Sequence, residues 1–169
     1  GGQASKSTPI GAVAKFANAG MRAGKKNLGF MCMSYGNVYV AQISMGANRM
    51  QTQKAIQEAV AYNGPSLIIA YAPCIAHGID MMKTQTIAKN AVECGYWPLY
   101  RYHPLGEDGK KFSWDAREPI GDFQAFIRSE RRYTALLQTA PNEAEELFRL
   151  AEEDARKRWN FMKQLGQIM

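Results

Sequence analysis

From Asn142 to Leu165 the apolar positions Leu147, Phe148, Ala151, Ala155, Trp159 and Met162 recur at three- and four-residue steps, and charged residues fill much of the space between them. That period predicts an amphipathic helix with one buried stripe. A second helix is expected just upstream, from about Asp122 to Leu137. In the first half, QTQKAIQEAVAYNGP carries Ala55, Ile56, Ala59, Val60 and Tyr62 on a helical stripe that Asn63-Gly64-Pro65 closes. In NLGFMCMSYG, Leu28, Met31, Cys32 and Tyr35 fall at i, i+3, i+4 and i+7, one helical face ending at Gly36, so Cys32 reads as a core residue. Thr8 and Pro9 suit an N-cap and first helical position, with Ile10, Val13, Phe16 and Ala17 continuing a short helix to Gly20. A further helix is expected from Thr84 to Cys94.

Between these helices lie segments of another kind. VYVAQI is β-branched, aromatic and partly alternating, which predicts a strand. SLIIAY, from Ser66 to Tyr71, is continuously apolar, as an interior strand of a parallel sheet covered on both faces would be. Strand, helix and strand make one βαβ crossover, so the expected class is α/β with a parallel sheet and flanking helices. YWPLYRYHP adds a strand-like aromatic segment broken by Pro98 and Pro104, and Leu105 to Asp122 reads as a loop excursion before the C-terminal helical extension. No internal repeat is present.

A length of 169 residues with 46% hydrophobic and 21% charged content suits one globular core. No apolar run reaches the length that spans a bilayer. The chain starts at Gly1 rather than at methionine, with neither the basic nor the apolar region of a secretory signal after it, and so reads as an expression remnant or a cut inside a longer chain. Three cysteines without a signal argue for a reducing compartment, the cytoplasm by default, and against a disulfide framework. The net charge of +6 allows an acidic partner, but Lys25-Lys26, Lys110-Lys111, Arg131-Arg132 and Arg156-Lys157-Arg158 mostly have acidic neighbours and read as solvated faces.

The candidate chemistry gathers after SLIIAY. Functional residues of open α/β sheets sit beyond the carboxyl ends of strands, and Pro73, Cys74 and His77 occupy such an end. Cys74 and His77 could form a nucleophile and base, although His77 and His103 are the only histidines and no orienting partner is identifiable. Zinc finds no pair of ligands at the usual spacing. GGQASKS resembles a phosphate-binding loop only until Ser5, which stands where the lysine needs a preceding glycine. From the residues alone, a cysteine at a strand end is also compatible with inert packing.

GGQASKSTP, MSYGNVYVAQISMGA, GPSLIIAYAPCIAHGI and VECGYWPLYRYHP, in that order, resemble the carboxy-terminal segment of the large single-chain pyruvate:ferredoxin (flavodoxin) oxidoreductases. The resemblance runs over nearly the whole chain. It implies that residues 1–104 are the latter part of a thiamine-diphosphate-binding domain, with 105–169 an excursion and C-terminal helices packing on it. In that family the magnesium-diphosphate signature directly precedes Gly-Gly-Gln, so Gly1, Gly2 and Gln3 would be the trailing edge of the cofactor loop, with the Mg2+ ligands outside this chain. The resemblance also makes Cys74 the fourth thiolate of the [4Fe–4S] cluster nearest the thiamine cofactor, three others coming from elsewhere, since a cubane needs four ligands. Cys94 has no such counterpart and reads as structural. Two positions depart from the family pattern: Ala76 stands where asparagine is usual, and Asn37 where tyrosine is usual.

The implied reaction is oxidative decarboxylation of pyruvate with coenzyme A to acetyl-CoA and carbon dioxide, with electrons leaving through [4Fe–4S] clusters to ferredoxin or flavodoxin. The parent enzyme is expected to be a homodimer, and the isolated segment, without its magnesium ligands, inactive. Two readings from other classes stand beside it. A basic nucleic-acid-binding domain would need a clustered basic face with aromatic platforms, whereas the aromatics here fall in expected strands and inner helix faces. A purely structural interaction module would need no cofactor at all.

Overall fold

Strands β1 (Tyr39–Ile43) and β2 (Ser66–Ala70) run parallel, joined through helix α2 (Arg49–Ala61) in the expected βαβ crossover. They belong to a computed structural model that describes residues 2–106 and 109–169. Strands β3 (Tyr100–Tyr102) and β4 (Phe112–Trp114) continue the sheet in the order β2-β1-β3-β4, each antiparallel to its neighbour. The α/β class stands, but the sheet is mixed and only one of its pairs is parallel. β2 is therefore an edge strand and not the doubly covered interior strand its apolar run predicts; Ser66 and Ala70 are exposed and the residues between them only half-buried. β4 lies inside the segment read as a loop, where three residues are too few to show a period.

Alternation along β1 divides the core. Tyr39, Ala41 and Ile43 face Ala55 of α2, while Val40 joins Tyr100, Tyr102 and Phe112 of the antiparallel strands, Met33 of helix α1 (Leu28–Met33) and Met162 of the long C-terminal helix. The largest core cluster lies beyond the sheet. It joins Ala91 of helix α3 (Thr84–Glu93), Trp97 and Leu99 to helices α4 (Phe123–Arg128), α5 (Arg131–Thr134), α6 (Leu136–Thr139) and α7 (Pro141–Ile168). The expected stripe of α7 is buried as read, from Leu147 to Met162. The single helix expected from Asp122 to Leu137 is instead three short ones, started at Asp122, whose carboxylate accepts from the Ala125 amide at 3.0 Å, and broken at Ser129-Glu130.

Three more helix expectations change. The segment from Pro9 to Gly20 is not helical: Gly11 and Phe16 have φ of +78° and +71°, outside the right-handed helical region, and its amides bond instead across a loop, Gly11 to the Met21 carbonyl at 2.8 Å and Val13 to that of Arg132 at 2.7 Å. Helix α1 exists, yet it buries Gly29 and Met33, not the Leu28-Met31-Tyr35 stripe. A Cβ at Gly29 would fall 2.0 Å from the Tyr100 hydroxyl, so the helix approaches β3 through its glycine and that contact chooses the face. Helix α2 likewise buries Gln51, Thr52 and Ala55 and leaves Ile56 and Val60 exposed. Gln51 enters the interior because its amide donates to the Gln42 carbonyl and to Asp115, at 3.2 and 3.1 Å.

Candidate functional site

The register of β2 carries the chain to the end of the sheet, where the Tyr71 amide still bonds the Ile43 carbonyl at 3.1 Å. Pro73, with no N–H to place, then leaves the ladder. Cys74 caps a single 3-10 turn, Ile75–His77, its Sγ accepting from the Ala76 amide at 3.4 Å. Gly78 closes the turn with φ of +69°, and a Cβ there would sit 2.3 Å from the Arg131 Cβ. The turn is thus pressed against the start of α5, and position 78 demands glycine on both conformational and steric grounds.

Behind the turn lies a buried polar cluster. Glu130 is wholly buried, and its carboxylate accepts from Arg132 at 2.5 Å and from the Tyr71 hydroxyl at 3.4 Å. The Arg132 guanidinium also donates to the Tyr96 hydroxyl at 3.1 Å and meets His77 Nε2 at 3.2 Å. A guanidinium has only donors, so Nε2 is the accepting nitrogen of His77 and Nδ1 carries the hydrogen; Nδ1 is buried without a partner. Burial, and then the positive charge of Arg132, lower the His77 pKa to about 4, which keeps the ring neutral at physiological pH. For Glu130, burial outweighs the pull of Arg132 and pushes the carboxyl above its usual range.

The segment read as a cofactor-loop edge arrives at the same place. Gly2 and Gln3 pair with the chain around Lys15, the Lys15 amide donating to the Gly2 carbonyl at 2.9 Å. A Cβ on Gly2 would lie 3.8 Å from that of Ala76. Gly2, Gln3, Ala76, His77 and Arg132 line a common cavity of about 280 Å³. Gly1 lies outside the described residues. Two segments separated by about seventy residues, both singled out in the sequence, therefore meet at one cavity beside the Cys74 turn.

The nucleophile-and-base pairing of Cys74 with His77 is not formed: the bond that joins them is the backbone one of the turn, from the His77 amide to the Cys74 carbonyl at 2.9 Å, while the Cys74 Sγ accepts from the Ala76 amide and the accepting nitrogen of His77 is turned to Arg132. The three thiols differ in setting. Cys94 is buried, its Sγ 3.6 Å from the Ala91 carbonyl, and burial pushes its pKa up to about 12, which makes it inert. Cys32 packs half-buried against the cluster around Met33 and Val40. Cys74, also half-buried, is the one on an open turn, next to Ile75, whose side chain is 74% exposed. Among the described residues no group of three or more His, Cys, Asp or Glu could hold a metal ion, so these residues alone do not make up a whole cluster site.

Glu130 and Arg132 are the site residues that the sequence reading missed, having placed Arg131-Arg132 on a solvated face. A signal was present for Glu130. Phe123, Phe126, Ile127, Glu130 and Tyr133 share helical spacing, which puts a carboxylate on an apolar stripe where it needs a buried partner.

No protein-family model matches the chain. The pyruvate:ferredoxin oxidoreductase of Moorella thermoacetica is 54% identical over 169 residues, 99% of this chain and 14% of its own length. The pyruvate-flavodoxin oxidoreductase of Enterobacter agglomerans is 57% identical over 170 residues, and the probable pyruvate-flavodoxin oxidoreductase of Escherichia coli 47% over 168. The chain is homologous to one segment of the pyruvate:ferredoxin/flavodoxin oxidoreductases. It spans about 14% of the length of these curated relatives. Identity at this level across almost the whole chain means that the relatives share the fold of this segment. No helix among the described residues is long and apolar enough to cross a membrane.

Proposed function

We propose that the chain is part of an oxidoreductase that decarboxylates pyruvate oxidatively with coenzyme A, giving acetyl-CoA and carbon dioxide and passing electrons to ferredoxin or flavodoxin. The observation that carries this reading is the match of 46–57% identity over 98–99% of the chain to oxidoreductases named for pyruvate and for those two carriers. In this reading Gly2 and Gln3 edge the thiamine diphosphate and Mg2+ site, and Cys74 gives one thiolate to a [4Fe–4S] cluster. When bound, thiamine diphosphate would supply the chemistry that cleaves the carboxylate from pyruvate, and the cluster a path for single electrons.

The chain's own residues contribute placement. Pro73 and Gly78 fix the two ends of the Cys74 turn, and Arg131 and Arg132 hold it from behind. The neutral His77 keeps a proton on buried Nδ1 and none on Nε2, which is left to accept from Arg132. Ile75, exposed at 74%, leaves apolar surface on the turn that further protein bearing the other thiolates could cover.

The test uses an oxidoreductase of the relatives' full length that carries this segment. Cys74→Ser replaces a soft sulfur by a harder oxygen, which ligates iron–sulfur clusters less readily. Iron content is expected to fall by one cluster, with one set of low-temperature EPR signals lost and reduction of ferredoxin or flavodoxin collapsing. Cys32→Ser and Cys94→Ser are expected to keep the full iron content. Unchanged iron and normal acceptor reduction in Cys74→Ser would make Cys74 a packing residue and remove its assigned part.

A further inference from the structure

Away from that cavity, the segment Lys25-Lys26-Asn27 lies along α7, where the Asn27 side-chain amide donates to Met162 Sδ at 3.2 Å. It closes a second, small cavity of about 80 Å³, walled by Ser7, Lys25, Trp97, Tyr100, Arg158 and Met162. This is several times the ~10–15 Å³ that one water needs. Lys25 is half-buried and its Nζ donates to the Ser7 carbonyl at 2.8 Å. It differs from the lysines that pair with a carboxylate. Lys54, Lys89 and Lys163 each lie within ion-pair distance of a glutamate. Among the described residues no carboxylate is that close to Lys25, and the nearby Asp154 is engaged by Arg158 at 2.9 Å.

Burial, followed by the positive charges of Arg158 and Arg132, lowers the Lys25 pKa to about 8; Asp154 opposes this and Lys26 adds to it. At pH 7 about one-tenth of such an amine is unprotonated, against roughly one in three thousand for a lysine near its ordinary value of 10.5.

We propose that Lys25 is a site of covalent acylation, its amine accepting a small acyl group such as acetyl from an acyl thioester, with the cavity beside Nζ receiving the group. The free Nζ lone pair attacks the thioester carbonyl carbon, a C–N bond forms, the C–S bond breaks and the thiolate leaves with its electron pair. The proton left on nitrogen passes to solvent. The amide N–H that results can still donate to the Ser7 carbonyl, so the one hydrogen bond of Nζ survives the reaction. The acyl carbon chain meets the apolar walls of Trp97 and Met162, and a positive charge next to Arg158 disappears. The inference stands on Lys25 and its surroundings and does not depend on the proposed function.

The 169-residue chain is incubated with acetyl-coenzyme A between pH 7 and 9, and acetylation at each lysine is followed by peptide mass spectrometry, in buffer and again in urea. In buffer, Lys25 is expected to react several-fold faster than Lys54 and Lys89, because its gain in free amine outweighs the lower nucleophilicity of a less basic amine. Its rate is expected to level off above about pH 8, and its advantage to vanish in urea. Equal rates at the three lysines in buffer, or an advantage for Lys25 that persists undiminished in urea, would overturn the proposal.

Discussion

Arg132→Met is the perturbation that examines the support of the Cys74 turn most directly. Methionine fills much of the volume of arginine but removes the donors to Glu130, Tyr96 and His77 together. Glu130 is 0% exposed, so its carboxylate would be left buried with only the Tyr71 hydroxyl as a partner. Removing one member of a buried ion pair costs about 3–5 kcal/mol. With a urea slope of about 2 kcal/mol/M, the unfolding midpoint should fall by roughly 1.5–2.5 M. Most of that loss should be the stranded charge. Arg132→Met combined with Glu130→Leu is therefore expected to recover at least about half of it, since apolar replacement of both members of a buried pair is often neutral.

The same substitution changes the dependence on pH. Without Arg132 the Glu130 carboxyl rises further, because the charge and hydrogen bond of that arginine are what hold it down. The folded variant then takes up a proton at a higher pH than the unfolded chain, so its stability rises as pH falls through the raised carboxyl pKa toward the ordinary carboxylate range. His77, freed of a neighbouring cation, changes in the same sense. Urea titrations at several pH values, followed by far-UV circular dichroism, measure both effects. A cost under about 1 kcal/mol, or a double variant no better than the single one, would refute the account of Arg132 as a buried counter-charge holding the turn.

Gly78→Ala should destabilise the chain by about 2 kcal/mol or more, from left-handed backbone strain and the clash with the Arg131 Cβ together; thermal unfolding checks it, and a neutral result would mean that the turn and α5 are not in contact. The His77 ring should titrate near 4 by NMR, against 6.5 unperturbed; because the folded pKa is depressed, the stability His77 gives is full above about 6.5 and is lost as pH falls toward 4. A midpoint above 6 would mean that the ring is neither buried nor beside Arg132.

Elements whose register is set locally were legible in the chain. The α7 stripe, the β1-α2-β2 crossover and helix α3 each rest on a run long enough for its period to show. What was not legible depends on partners distant in sequence. Helix α1 turned its glycine inward because the Tyr100 ring, some seventy residues on, needed the space. Pro9 marked no helix start, since the loop bonds of Gly11 and Val13 to Met21 and Arg132 outcompete a short helix with a glycine near its beginning. SLIIAY is apolar enough for a sheet interior and yet lies at an edge. Nothing in its composition says which strand, if any, stands on its other side.

The site shows the same division in sharper form. Cys74 could be singled out because a strand end is where α/β folds place chemistry, and Gly2 and Gln3 because of the segment they resemble; their meeting at one cavity is tertiary information. In the proposed function Cys74 is a cluster ligand whose fellow ligands come from elsewhere, and such a ligand has to be positioned by the protein and not by the metal. The Cys74 turn has the means for this within the chain: a proline entering, a glycine leaving, the Arg131 side chain pressed against it and Arg132 anchored on a wholly buried carboxylate. Such a turn keeps its geometry at the cost of a buried ion pair, which is why the pair, rather than the thiol, is where its stability is most exposed to mutation.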